Sequence, residues 1–80
     1  MRRLFLKISA MKGGNPTQER LENAMKLMSR YDQVLISFEG GSVNEIFEIL
    51  RQMICANVTS TLMVYFGKKT CPEGYDEISV

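Results

Sequence analysis

The chain has 80 residues, a formal net charge of +1, 45% hydrophobic and 24% charged residues. It is too apolar and too close to neutral for intrinsic disorder. It also lacks the basic excess of most nucleic-acid and anionic-membrane binders, and no window approaches the roughly 20 apolar residues of a membrane span.

One domain, residues 1–80, is expected, and a chain this short buries only about 60 to 65% of its unfolded surface, so its core is thin. There is no histidine, and Cys55 and Cys71 lie far apart, so no structural metal is expected. A disulfide between them stays open, but two free thiols in a reducing cytoplasm are the reading, because disulfide-dependent small domains carry more cysteine.

Leu4, Leu6, Ile8 and Ala10 alternate with Phe5, Lys7, Ser9 and Met11, the period of two of a half-buried strand. Lys7 interrupts the apolar opening too early for a secretion signal, so a cytoplasmic protein is expected. Lys12-Gly13-Gly14-Asn15-Pro16 breaks the strand, with Asn15 placed to cap a helix and Pro16 at its first position. Leu21, Ala24, Met25, Met28 and Tyr31 then recur at helical spacing. Val34 to Glu39 forms a second strand, with Val34, Ile36 and Phe38 on one face and Leu35, Ser37 and Glu39 on the other.

Gly40-Gly41 turns into a second helix, where Ser42 and Glu45 have the spacing of a capping box. Val43, Ile46, Phe47, Leu50, Met53, Ile54 and Val58 trace its apolar stripe. Ser60 to Gly67 is β-branched and aromatic, a third strand with Leu62, Val64 and Phe66 opposite Thr61, Met63 and Tyr65. Thr70 to Gly74 has turn chemistry, and residues 75–80 are expected to return as a short fourth strand in a hairpin, with a trailing tail as the alternative.

Short loops between alternating strands and helices imply right-handed crossovers and a mainly parallel sheet of three to four strands. Each strand keeps one polar or mixed face, so both helices are expected on the same side, giving an α/β two-layer sandwich, βαβαβ(β), with an open sheet face.

That open face would carry Phe5, Lys7, Ser9, Leu35, Met63 and Tyr65, an apolar concentration that suits a protein partner or a second copy in a homodimer. Stacking of single-stranded nucleic acid on Phe5 and Tyr65 is a weaker alternative, since no ribonucleoprotein motif accompanies them. At the loop edge, parallel crossovers would gather Lys12, Asn15, Gly40, Gly41, Ser42, Lys68 and Lys69 beside two helix N-termini, where an anion or an acidic partner could sit. The simpler reading is that the glycines make turns and the lysines solvate strand ends. The spacing matches no phosphate-binding pattern, and Glu39 would repel an anion.

The carboxylates Glu19, Glu22, Glu45 and Glu48 have spacings typical of solvated helix faces, so no catalytic residue and no cofactor are expected. The element order, the length and the start of the first helix resemble the small sulfur-carrier family that includes TusA and SirA. That family's Cys-Pro-x-Pro motif stands here as Asn15-Pro16-Thr17-Gln18, without the sulfur-bearing cysteine. The resemblance implies topology and not sulfur transfer. The leading expectation is a small non-enzymatic interaction or regulatory protein, suited to a bacterial or phage accessory role. A nucleic-acid-binding module and a divergent sulfur-carrier-like protein are the alternatives.

Overall fold

The computed structural model describes residues 1–10, 18–56 and 60–80. Six elements follow in order: β1 (Arg3–Ala10), α1 (Gln18–Met28), β2 (Gln33–Gly40), α2 (Val43–Cys55), β3 (Thr61–Phe66) and β4 (Asp76–Ser79). The strands make one sheet in the order β3-β2-β1-β4, with every neighbouring pair parallel. This is the expected α/β sandwich. No helix among the described residues is long and apolar enough to cross a membrane.

Both helices cover one face of the sheet. Leu4, Leu6 and Ile8 of β1 and Val34, Ile36 and Phe38 of β2 pack with Leu21, Ala24 and Met28 of α1 and with Ile46, Ile49 and Met53 of α2 in one core. The spacing of Leu21, Ala24 and Met28 places all three on one side of α1. The expected cap at Asn15 and Pro16 lies outside the described residues. Tyr31 joins the core from beyond the end of α1, which closes at Met28 with the Ser29 hydroxyl donating to the Lys26 carbonyl at 2.6 Å.

The turn into α2 is built as its sequence suggests. Gly40 and Gly41 take φ of 78° and 83°, a region costly for residues with a Cβ. Ser42 then caps the helix: its hydroxyl accepts the Glu45 N–H and the Glu45 carboxylate accepts the Ser42 N–H, each at 3.3 Å. The rotation of α2 differs from the expected stripe. Its buried residues are Ile46, Ile49 and Met53, while Val43, Phe47 and Ile54 are exposed.

The C-terminal hairpin is corrected. β4 does not fold back on β3 but runs parallel to β1 at the opposite edge, with Leu4 beside Asp76 and Leu6 beside Ile78. The backbone of β1 would otherwise lack partners on that side. Val80 continues the ladder, donating to the Lys7 carbonyl at 2.8 Å, and with Ile78 it packs against the core.

The link from β3 to β4, residues 67–75, must travel back along the sheet and across three strand spacings, about 14 Å. Its path follows from handedness. The crossovers from β1 to β3 step in one direction with helices on one face, so a right-handed return in the other direction belongs on the opposite face. Contacts along the link place it there, as described next.

Candidate functional site

The sheet face away from the helices was expected to be open, and it is not. Phe5 and Ser37 are fully buried and Leu35 is 8% exposed, so three residues central to that face are unavailable to a partner. The return segment accounts for this.

At its start, the Ser37 hydroxyl donates to the Gly67 carbonyl at 2.9 Å, and the Lys69 ammonium lies 4.9 Å from the centre of the Tyr65 ring. Midway, Cys71 packs close to Glu77, the register partner of Phe5. Burial first, and the Glu77 carboxylate second, push the Cys71 thiol above its ordinary value. At its end, the Arg3 guanidinium lies 6.0 Å from the centre of the Tyr75 ring. Arg3, Tyr65, Ser37 and Glu77 all project from this face. A strap therefore crosses it diagonally from the end of β3 to the start of β4.

The proposed partner residues separate accordingly. Phe5 and Leu35 are buried on the face that the strap crosses. Lys7 is half-buried and pairs with Glu39 at 3.8 Å, and Ser9 is half-buried nearby. Met63 and Tyr65 keep partial exposure near the β3 edge. For stacked nucleic acid, the Phe5 ring is lost and the Tyr65 ring already carries Lys69.

Of the loop edge, Lys12 and Asn15 lie outside the described residues. Gly40, Gly41, Ser42 and Lys68 are exposed at the C-terminal ends of the strands, where Lys69 is half-buried. The capping box already occupies the Ser42 amide and places the Glu45 carboxylate at the helix start, which disfavours a second anion. Among the described residues no group of acids and cysteines could hold a metal. Cys55 and Cys71 are free thiols, Cys55 exposed and Cys71 half-buried.

The surface that stands out is one the sequence pattern had assigned to the core. On α2, Gln52 accepts a hydrogen bond from the Gln18 amide at 3.1 Å and so faces α1. Val43, Phe47, Leu50 and Ile54 occupy the opposite flank by helical spacing, beyond the core stripe. Val43 is 65% exposed, Phe47 60% and Ile54 73%.

Beside them, β3 contributes Leu62, Val64 and Phe66 on its helix-facing side. Phe66 is 64% exposed although its ring stacks on Phe38 at 6.3 Å. Leu50 and Leu62 are partly buried and tie this surface to the core. The exposed side chains together present on the order of 600 Å² of largely apolar area, near the upper end of what monomers usually show as one patch.

Two open grooves are less informative. One of about 340 Å³ lies between α1 and the β4 end, lined by Ala24, Leu27, Ile78 and Val80 with Arg20 and Asn23. Another, of about 370 Å³, lies beside Met25 and Ala56. Neither gathers groups that suggest chemistry.

No family model matches this chain, and no curated protein or solved structure matches it either. The likeness to sulfur carriers thus rests on element order. A functional reading must come from the chain's own surface.

Proposed function

We propose that this chain is a small non-enzymatic interaction protein that engages another protein through the outer edge of β3 and the adjoining flank of α2. One observation supports the reading: Val43, Phe47, Ile54, Val64 and Phe66 form an exposed apolar surface beside a strand whose outer side has, among the described residues, no neighbour in the sheet. Apolar surfaces of this size on small proteins usually mark contacts. A free strand edge adds directional hydrogen bonds, the basis of recognition by strand addition. The site moves from the sheet face expected from sequence to the sheet edge.

Affinity capture from the native host, run in parallel with the wild-type chain and a Phe47→Glu/Phe66→Glu variant, tests this. The two baits are first matched for folding by circular dichroism. Proteins retained by the wild type and lost by the variant are the expected result. A retained set unaffected by the two substitutions would place the contact elsewhere and overturn the reading.

A further inference from the structure

The two edges of the sheet are built differently. β4 is four residues long, and Asp76 and Glu77 make it a poor template for another strand. β3 has six residues, TLMVYF, with no charge and no proline. Edges that must remain single are usually shortened, charged or broken by proline. β3 has none of these protections.

Its backbone also presents a regular set of groups. Thr61 donates its N–H to Asp32 at 3.0 Å and Gly67 donates to Phe38 at 2.8 Å, so odd-numbered residues of β3 point their backbone groups towards β2. By alternation, the N–H and C=O groups of Leu62, Val64 and Phe66 point outwards. The same three side chains lie on the helix-facing side with Phe47.

Resting on the reading above, we infer that the occupant of this surface is a second copy of the chain. The two β3 strands pair antiparallel about a two-fold axis at Val64, joining both sheets into one of eight strands.

The register follows from the outward groups. An antiparallel partner must pair outward residues with outward residues, and centring on Val64 pairs it with its own mate and Leu62 with Phe66, giving about six hydrogen bonds. Centring on Met63 or Tyr65 leaves one of the three outward residues of β3 without an outward mate.

The geometry of α2 agrees. As the crossover from β2 to β3 it lies above that pair, so a two-fold at the β3 edge sets the two α2 axes about two strand spacings, or ~10 Å, apart. Helices pack at 8 to 10 Å, so the exposed flanks carrying Phe47 and Ile54 would meet.

The exposed side chains, with the strand backbone and the partly covered Leu50 and Leu62, approach the ~800 Å² per partner of a standard interface. Glu48 and Arg51, on the solvent side of that flank, pair with each other and leave no unmatched charge to bury. The contact is isologous and closes at two copies, because the acidic β4 edge cannot extend it.

The full chain is tested by light scattering after size exclusion across the micromolar range. The expected mass is twice the 9.1 kDa chain mass. Phe47→Glu with Val64→Lys, which sets two lysines opposite each other, should raise the dissociation constant about thirtyfold or more with the fold retained by circular dichroism.

A conservative variant fixes the register. In a Cys55→Ser/Cys71→Ser background, Val64→Cys should form a covalent dimer under mild oxidation, since facing residues of a hydrogen-bonded pair are about 5.5 Å apart, within disulfide reach. Leu62→Cys should not, because the same position of the second copy lies four residues along the strand, about 13 Å away. A monomer at every concentration overturns the second-copy inference, and host proteins still captured through Phe47 and Phe66 would leave the interaction reading standing. A dimer that survives the paired substitution, or that cross-links at Leu62→Cys in preference to Val64→Cys, overturns the proposed contact.

Discussion

Ser37 donates its hydroxyl proton to the carbonyl oxygen of Gly67 at 2.9 Å, and this bond marks where the chain leaves the outer strand and turns beneath the sheet. Ser37 is the one buried polar residue that the described chain holds, and its hydroxyl is spent on the carbonyl where the strap begins. Ser37→Ala removes the donor and leaves a carbonyl without that partner, so a loss of about 1 to 2 kcal/mol is expected in urea unfolding. A change indistinguishable from zero would mean that the strap is not fastened at this point.

The strap also makes Phe5 a core residue. Fully buried side chains of this size lose about 3 to 5 kcal/mol on truncation, so Phe5→Ala should remove a large part of the stability of so small a domain, and Phe5→Asp should prevent folding. Tyr65→Ala, at a partly exposed ring, should cost much less. Comparable unfolding midpoints for the two alanine variants would show that the second face is open after all.

The strap was not legible in the sequence. The alternation of Leu4, Leu6 and Ile8 with Phe5, Lys7 and Ser9 correctly separates two faces, and Gly40-Gly41-Ser42 with Glu45 correctly starts a helix, because both signals are local. Which element covers Phe5 depends on strand order, and Thr70 to Gly74 reads as a turn whether it ends a hairpin or a return crossover. Once β4 is known to lie beside β1, handedness assigns the strap to the Phe5 face. For α2 the difficulty is different: apolar residues cover so wide an arc that the period alone cannot choose between the Ile46-Ile49-Met53 face and the Val43-Phe47-Ile54 flank. The exposed flank was hidden in that ambiguity.

Alkaline pH should loosen the β4 side of the sheet. The Tyr31 hydroxyl donates to the Asp76 carboxylate at 2.8 Å, which raises its pKa from the ordinary 10.0, and burial with Glu77 raises that of Cys71 from 9.0. Both groups therefore keep their protons to higher pH when folded than when unfolded. Their stabilisation is complete below the ordinary values and disappears as pH rises through the raised ones. Urea midpoints measured from neutral to strongly alkaline pH should fall, and Tyr31→Phe with Cys71→Ser should flatten the fall. An unchanged slope in the double variant would assign the alkaline loss to other groups.

The two thiols report on the strap separately. Cys55 is exposed on α2, while Cys71 is half-buried with its sulfur 3.5 Å from the Pro72 carbonyl and 3.6 Å from that of Tyr75. Since the thiolate is the reactive form and burial disfavours it, a thiol reagent at neutral pH should modify Cys55 quickly and Cys71 slowly. Ser37→Ala should accelerate Cys71 alone. Equal rates in the folded wild-type chain would indicate that the strap opens readily.

The rotation of α2 gives the most direct separation of core from exposed flank. Met53 is fully buried and Ile49 nearly so, and either one changed to alanine should cost about 2 to 5 kcal/mol at any protein concentration. Phe47→Ser and Ile54→Ser remove side chains that face solvent in a single chain, so in dilute solution their effect should stay within about 0.5 kcal/mol. If two copies associate through this flank, folding is linked to association and the wild-type midpoint rises with protein concentration. The Phe47→Ser midpoint should then stay flat, so that its deficit grows as concentration increases while the Met53→Ala deficit is already present at the lowest concentration. A concentration-independent loss at Phe47 as large as that at Met53 would return Phe47 to the core, and with it remove the apolar flank on which the edge contact depends.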